Sequence, residues 1–213
     1  MSKDFASSWA KEKKVPMSRK IVDTMNSTPL RDRITKTIFS LNMVRHKIEN
    51  SRLRMEEKYK GLFGKCVKAQ ETKNTQIGVM YANECSQVKK IAQTIVTSQL
   101  ALEQVVLRLE TVQDFGDVAA EVMPAAAIIR TVKDRLSGVI PEVSMSLGTI
   151  SQTLDSLVFE VGEATGQSWN VMASGEDADK VLAEATMIAE QKVREGFPEL
   201  PTPSIAEKGL NPP

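Results

Sequence analysis

Residues able to do covalent or metal chemistry are few. Of 213 residues, one is His (His46) and two are Cys (Cys66 and Cys85). One imidazole and two thiols nineteen positions apart form no zinc-ligand cluster and no Cys-x-x-Cys pair. The thiols give no disulfide framework either, which fits a reducing compartment. The carboxylates sit beside polar neighbours in helical periodicity, as on a charged helix face, and suggest no acid–base pair. Phosphate-binding glycine loops, a nucleophile elbow and a His-Glu-x-x-His pair are absent from the sequence. The sequence therefore reads as non-enzymatic, with no cofactor.

What remains is chemistry of surfaces. The formal net charge is +1, from 28 Lys+Arg and 27 Asp+Glu. That total hides two opposed halves. Residues 1–106 hold 20 basic and 10 acidic side chains, whereas residues 107–213 hold 8 and 17. A chain so divided can meet an anionic surface with one half and restrain that half with the other. Within the basic half, Arg33, Lys36, Lys47, Arg54 and Lys58 gather in one helical stripe. Phe5 and Trp9, with Lys11, Lys13 and Lys14 beside them, have the composition of an interfacial anchor. The third group closes the chain: Phe197-Pro198-Glu199-Leu200-Pro201-Thr202-Pro203, within a stretch holding five of the nine prolines. Closely spaced prolines favour an extended helix of low conformational entropy, suited to docking in a groove. Aromatic residues make up 5% of the chain, too few for base-stacking platforms, and no base-reading motif accompanies the basic stripe.

Helices must position these groups, and the sequence predicts an all-α fold. A leader occupies 1–28. Ser27-Thr28-Pro29 then supplies a capping hydroxyl and a first-turn proline. Leu30, Ile34, Ile38, Leu41, Val44, Ile48, Met55 and Tyr59 follow on one helical face, interrupted by Arg45 and Arg52. Gly61-Leu62-Phe63-Gly64 reads as the turn of a hairpin, with Gly61 and Gly64 permitting the reversal. A second helix to about Gly116 carries a heptad-like repeat from Ile77 to Val112. On this reading the second helix, roughly 75–80 Å long, overhangs a first of roughly 48 Å. The overhang would need a partner from later in the chain or from another copy.

The hairpin (29–116) and short helices (117–162) form one core, 29–162. A flexible linker at 163–175, an acidic regulatory helix at 176–196 and the Pro-rich tail at 197–213 complete the layout. No stretch reaches the roughly 18 apolar residues of a membrane span, and no signal-peptide core opens the chain. A cytoplasmic protein is expected, touching any membrane peripherally.

A basic long-helix hairpin, short acidic helices, a linker and the terminal Phe197–Pro203 motif together resemble ESCRT-III proteins. The resemblance is to the archaeal cell-division (Cdv system) branch, as a short CdvB-like paralogue lacking the C-terminal winged-helix domain. It implies a membrane-remodelling filament subunit that constricts or severs membrane at the division site, on the inner face of the plasma membrane. It implies self-association and paralogous subunits as partners, the closed and open states being a folded-back and a released acidic tail. The tail looks like a second-type MIT-interacting motif, which docks on the MIT domain of a Vps4-type ATPase. Carried onto this sequence, Phe197 and Leu200 would be its apolar anchors, with Pro198, Pro201 and Pro203 holding the extended form. The stripe and the leader would meet anionic membrane, with no specific nucleic acid. Rival readings of the same residues are a soluble coiled-coil scaffold and a nucleic-acid-coating protein.

Overall fold

The structure, a computed structural model, describes residues 29–115, 118–165 and 171–199. These contain five helices and no strand: α1 (Leu30–Glu71), α2 (Thr75–Phe115), α3 (Val118–Leu136), α4 (Pro141–Thr165) and α5 (Val171–Gly196). The chain divides into two units, Met1–Arg33 and Ile34–Pro213. In the first, only Pro29–Arg33 is described; the Pro29 carbonyl accepts the amides of Asp32 and Arg33 and starts the helix.

Gly61 and Gly64 do not form the hairpin turn. Both lie inside α1, exposed, with open space where a Cβ would stand. Two glycines weaken a helix by ~1 kcal/mol each relative to alanine. Packing overrides this, because α1 continues to bury side chains beyond them. Tyr59 stacks on Phe63, 6.1 Å between ring centroids, and Cys66 and Ala69 extend the buried seam. The chain reverses instead at Thr72-Lys73-Asn74. The amide of Lys73 donates to the Gln70 carbonyl and that of Asn74 to the Ala69 carbonyl. This is the double bond of a Schellman cap, with Lys73 at φ 57° where glycine is usual. Asn74 then caps α2, its Oδ1 accepting from the Ile77 amide at 3.3 Å.

With the turn at Thr72–Asn74, the two arms match in length. The arms are 42 and 41 residues, each roughly 60 Å, so neither overhangs. Cys66 Sγ opposite the Gly78 carbonyl and Arg45 opposite Glu103 fix the antiparallel register. The seam of α2 also departs from the strict heptad. Ile77 and Ile91 are exposed, while Gly78, Cys85 and Ala92 are buried. Small residues let α1 approach closely here and make room for Tyr59. Beyond Ile95, α2 is buried over a broader arc, through Val96, Thr97, Ser98, Ala101 and Leu102, and α3 and α5 both pack against α2.

The interrupting arginines are held within the hairpin. Arg45 pairs with Glu103 at 3.1 Å and bonds Asn42 at 3.2 Å. Arg52 bridges Glu49 and Glu56, one turn to either side. The α3–α4 hairpin turns at Ser137–Ile140 and restarts on Pro141, whose fixed φ suits a first helical position. Arg130 and Asp155 clasp it at 2.5 Å. Helices occupy part of the expected linker: α4 runs to Thr165 and α5 begins at Val171.

Candidate functional site

The basic stripe and the seat of Phe197 lie on opposite sides of α1. Lys36, Lys47, Arg54 and Lys58 are exposed. Among the described residues, none of the three lysines forms an ion pair; the Arg54 guanidinium bonds only its neighbour Ser51 Oγ, at 2.8 Å. Arg33 belongs to the first unit and is half-buried. Arg54 and Lys58 flank a groove of about 550 Å³ whose other wall is the α3–α4 turn, Gly138–Glu142. Phe5, Trp9, Lys11, Lys13 and Lys14 lie outside the described residues.

The tail begins in the core. Phe197 is 1% exposed and packs with Tyr59, Cys85, Val88, Ala92, Val96, Ala189 and Val193. Its ring meets Tyr59 edge to face at 4.9 Å between centroids. The Tyr59 hydroxyl donates to the Pro198 carbonyl, and Lys89 Nζ donates to the Phe197 carbonyl at 3.4 Å. Burial pushes the Tyr59 phenol and the Cys85 thiol above their ordinary values, since both sit where a charged form loses its water. Pro198 and Glu199 are exposed; Leu200, Pro201 and Pro203 lie outside the described residues. The expected docking anchor Phe197 is thus occupied within the chain in this folded-back form.

The attachment of α5 is mainly apolar. Sequence charge suggests that the acidic helices fold back on the basic hairpin. α5 rests on that hairpin, against α2 and the Glu49–Glu56–Tyr59 side of α1 rather than on the stripe. Gln93 bonds Glu190 at 3.2 Å, and Gly196 lies against Glu56. The nearby charges run opposite to expectation. The cation Lys192 belongs to α5 and the carboxylate Glu49 to the basic hairpin. The hydrogen bond from Arg52 foremost, then others from Gln99 and the charges of Arg52 and Lys192, hold the Glu49 carboxyl below its usual range against the opposing effect of burial. On a helical wheel the α5-facing residues of α1 lie at least about 100° from the stripe. The stripe stays uncovered while α5 is docked.

Large apolar side chains are exposed beside that stripe and on α4. Phe39 and Met43 on α1 and Met145 on α4 are 68%, 49% and 77% exposed. Phe39 and Met43 fall outside the apolar arc of α1, so periodicity treats them as surface; Met145 counts with Leu147 and Ile150 in the apolar pattern of α4, yet it is exposed. Only the tertiary placement of α4 beside α1 brings Phe39 and Met43 into one groove with Ser146, the neighbour of Met145. Among the described residues no group of three or more His, Cys, Asp or Glu is placed to hold a metal, and no helix is long and apolar enough to cross a membrane.

Cell division protein B1 of Sulfolobus acidocaldarius is 35% identical to this chain over 208 residues, spanning 98% of the chain and 94% of the relative. Cell division protein B of the same organism is 31% identical over 181 residues, spanning 85% of the chain and 69% of the relative. The chain belongs to the CdvB-type family of archaeal cell-division proteins. No family model and no solved structure matches it. The stripe, the buried Phe197 and the matched hairpin arms are therefore features of a CdvB-type chain, and its relatives are named for cell division.

Proposed function

We propose that this CdvB-type chain is a non-enzymatic, ESCRT-III-type filament subunit that remodels membrane in cell division. It works without a cofactor, from the cytoplasmic face of the plasma membrane at the division site. The observation that supports this most directly is the uncovered, one-signed stripe of Lys36, Lys47, Arg54 and Lys58 along a hairpin roughly 60 Å long. Each lysine or arginine near an anionic surface contributes about 1 kcal/mol, so a row of them on each of many polymerised copies binds strongly. Subunits associate with one another and with paralogues. With equal arms, the hairpin leaves no overhanging stripe for a neighbour, so the contacts between copies use outer helix faces. The Phe197–Pro203 tail is the handle for the MIT domain of a Vps4-type ATPase, which disassembles the polymer.

The test is co-sedimentation of the full chain with anionic vesicles, followed by negative-stain microscopy of the pellet. Filaments on anionic vesicles, lost when Lys36, Lys47, Arg54 and Lys58 are changed to Glu, are expected. Undiminished pelleting of that variant overturns the stripe. A preference for duplex DNA over vesicles at equal salt overturns the membrane reading.

A further inference from the structure

Beside the basic stripe, α1 and α4 form a groove of about 330 Å³ lined by Phe39, Ser40, Met43, Val44, Lys47, Ser146, Thr149 and Ile150. Its rim is apolar. Phe39 and Met43 stand one turn apart on α1, and the strongly exposed Met145 precedes Ser146 on the opposite wall. Large exposed apolar side chains clustered across two elements mark an interaction surface more strongly than scattered ones do.

Charge narrows the partner. Between Thr35 and Ile48, α1 carries Lys36, Arg45 and Lys47 and no carboxylate. Arg45 turns away to Glu103, so the cations left beside the rim are Lys36 and Lys47, in helical register with Phe39 and Met43. On the other wall, Val143–Leu154 carries no charge at all. Apolar side chains framed by lysines, with no anion among them, suit the boundary between headgroups and acyl chains: the apolar groups enter and the ammoniums meet phosphate.

We infer that the α1–α4 groove is an anionic-lipid contact face that works while α5 is still docked. The inference rests on the membrane reading above and adds to it a face and a state. Phe39, Met43 and Met145 enter the interface, and Lys36 and Lys47 hold headgroup phosphates. Because α5 closes on the Glu49–Glu56–Tyr59 side, the folded-back chain already presents this face. Membrane arrival and tail release are then separate events.

The experiment uses the full chain with phosphatidylcholine vesicles containing phosphatidylglycerol, against pure phosphatidylcholine. The variant Phe39→Ser/Met43→Ser/Met145→Ser changes exposed positions only, and its helix content and melting check that it folds. Partition onto the anionic vesicles should fall at least about tenfold in this variant, and as much again for Lys36→Glu/Lys47→Glu. Amide exchange over Ala189–Phe197 should be as slow on the vesicle as in solution. If the wild type binds and the serine variant binds equally, the groove is not the lipid face and the membrane reading stands without it. If α5 amides lose protection on binding, the face works only in the opened chain and the inference falls. A serine variant that alters the size of the vesicle-free protein yet leaves partition unchanged makes the face a contact between copies. A wild type that ignores every vesicle overturns both this inference and the reading beneath it.

Discussion

The rings of Tyr59 and Phe197 meet edge to face, 4.9 Å apart, and the Tyr59 hydroxyl reaches the carbonyl of Pro198, 139 positions along the chain. This contact joins the middle of the first hairpin arm to the first residues of the tail. It sets the closed chain against the docking proposed above, because Phe197 cannot sit in this core and fill a partner's groove at once. Truncating a buried aromatic costs ~3–5 kcal/mol. Phe197→Ala should therefore raise amide exchange throughout Ala189–Gly196, with a smaller effect from Tyr59→Phe, which removes only the hydroxyl bond. Unchanged exchange in Phe197→Ala would show that α5 is held by its other contacts.

The same exclusivity sets an order of affinities. If the closed chain hides Phe197, apparent affinity for an MIT domain falls by the fraction of molecules that are open. A peptide spanning 195–213 should bind at least about tenfold tighter than the intact chain, and Tyr59→Ala should close most of that gap. Titration calorimetry with the isolated MIT domain reads both. Equal affinities for peptide and chain would mean that residues after Phe197 carry the docking alone.

Gly61→Ala and Gly64→Ala discriminate a helix from a turn. Neither added Cβ meets an atom within 4 Å. Each substitution should stabilise the chain by ~1 kcal/mol and raise its melting temperature by about 2–4 °C. Were these residues a turn, alanine would destabilise. Thermal denaturation followed by circular dichroism decides.

Salt should act weakly on closure. Apolar contacts attach α5, while Lys192 beside Glu49 contributes a local, partly exposed charge interaction. Screening therefore removes little. Exchange protection of Ala189–Gly196 should change less than about twofold between 0.05 and 1 M salt. Collapse of protection at high salt would restore charge attraction as the closing force.

Acid should loosen the Glu49 neighbourhood. Its folded-state carboxyl titrates below the ordinary value of 4.5, chiefly because Arg52 hydrogen-bonds the charged form. A depressed carboxyl contributes stability that is present above its unfolded value and lost as pH falls through the folded one. Glu49→Gln should flatten that part of the stability–pH curve while leaving stability at higher pH lower than wild type. A curve with the wild-type slope would remove Glu49 from the account.

Much of the fold was legible because it depends on period. The buried face of α1 and the all-α class follow from residue spacing. The turn was misplaced for a physical reason. Glycine signals conformational freedom, whereas whether the freedom is used depends on what lies beyond it. Here Cys66 and Ala69 keep packing, and Lys73 accepts the left-handed conformation that glycine was expected to supply. The stripe was legible for a similar reason, because Lys36, Lys47, Arg54 and Lys58 share one helix. Two things were not. Charge totals named an attraction between halves without saying which faces meet, and the totals cannot show that Phe197 points inward. Nor can periodicity join Phe39 to Ser146 and Ile150, since that groove exists only once α4 lies beside α1.

Gly61 and Gly64 leave one further mark. In mechanical terms the hairpin is a rod with one compliant segment. It begins two residues past Tyr59, where Gly61 and Gly64 leave the exposed side of α1 without side chains. A rod that must follow a curved surface bends where its backbone resists least. That bend would fall beside the seat of Phe197, so curvature and the grip on the tail are felt by the same few residues.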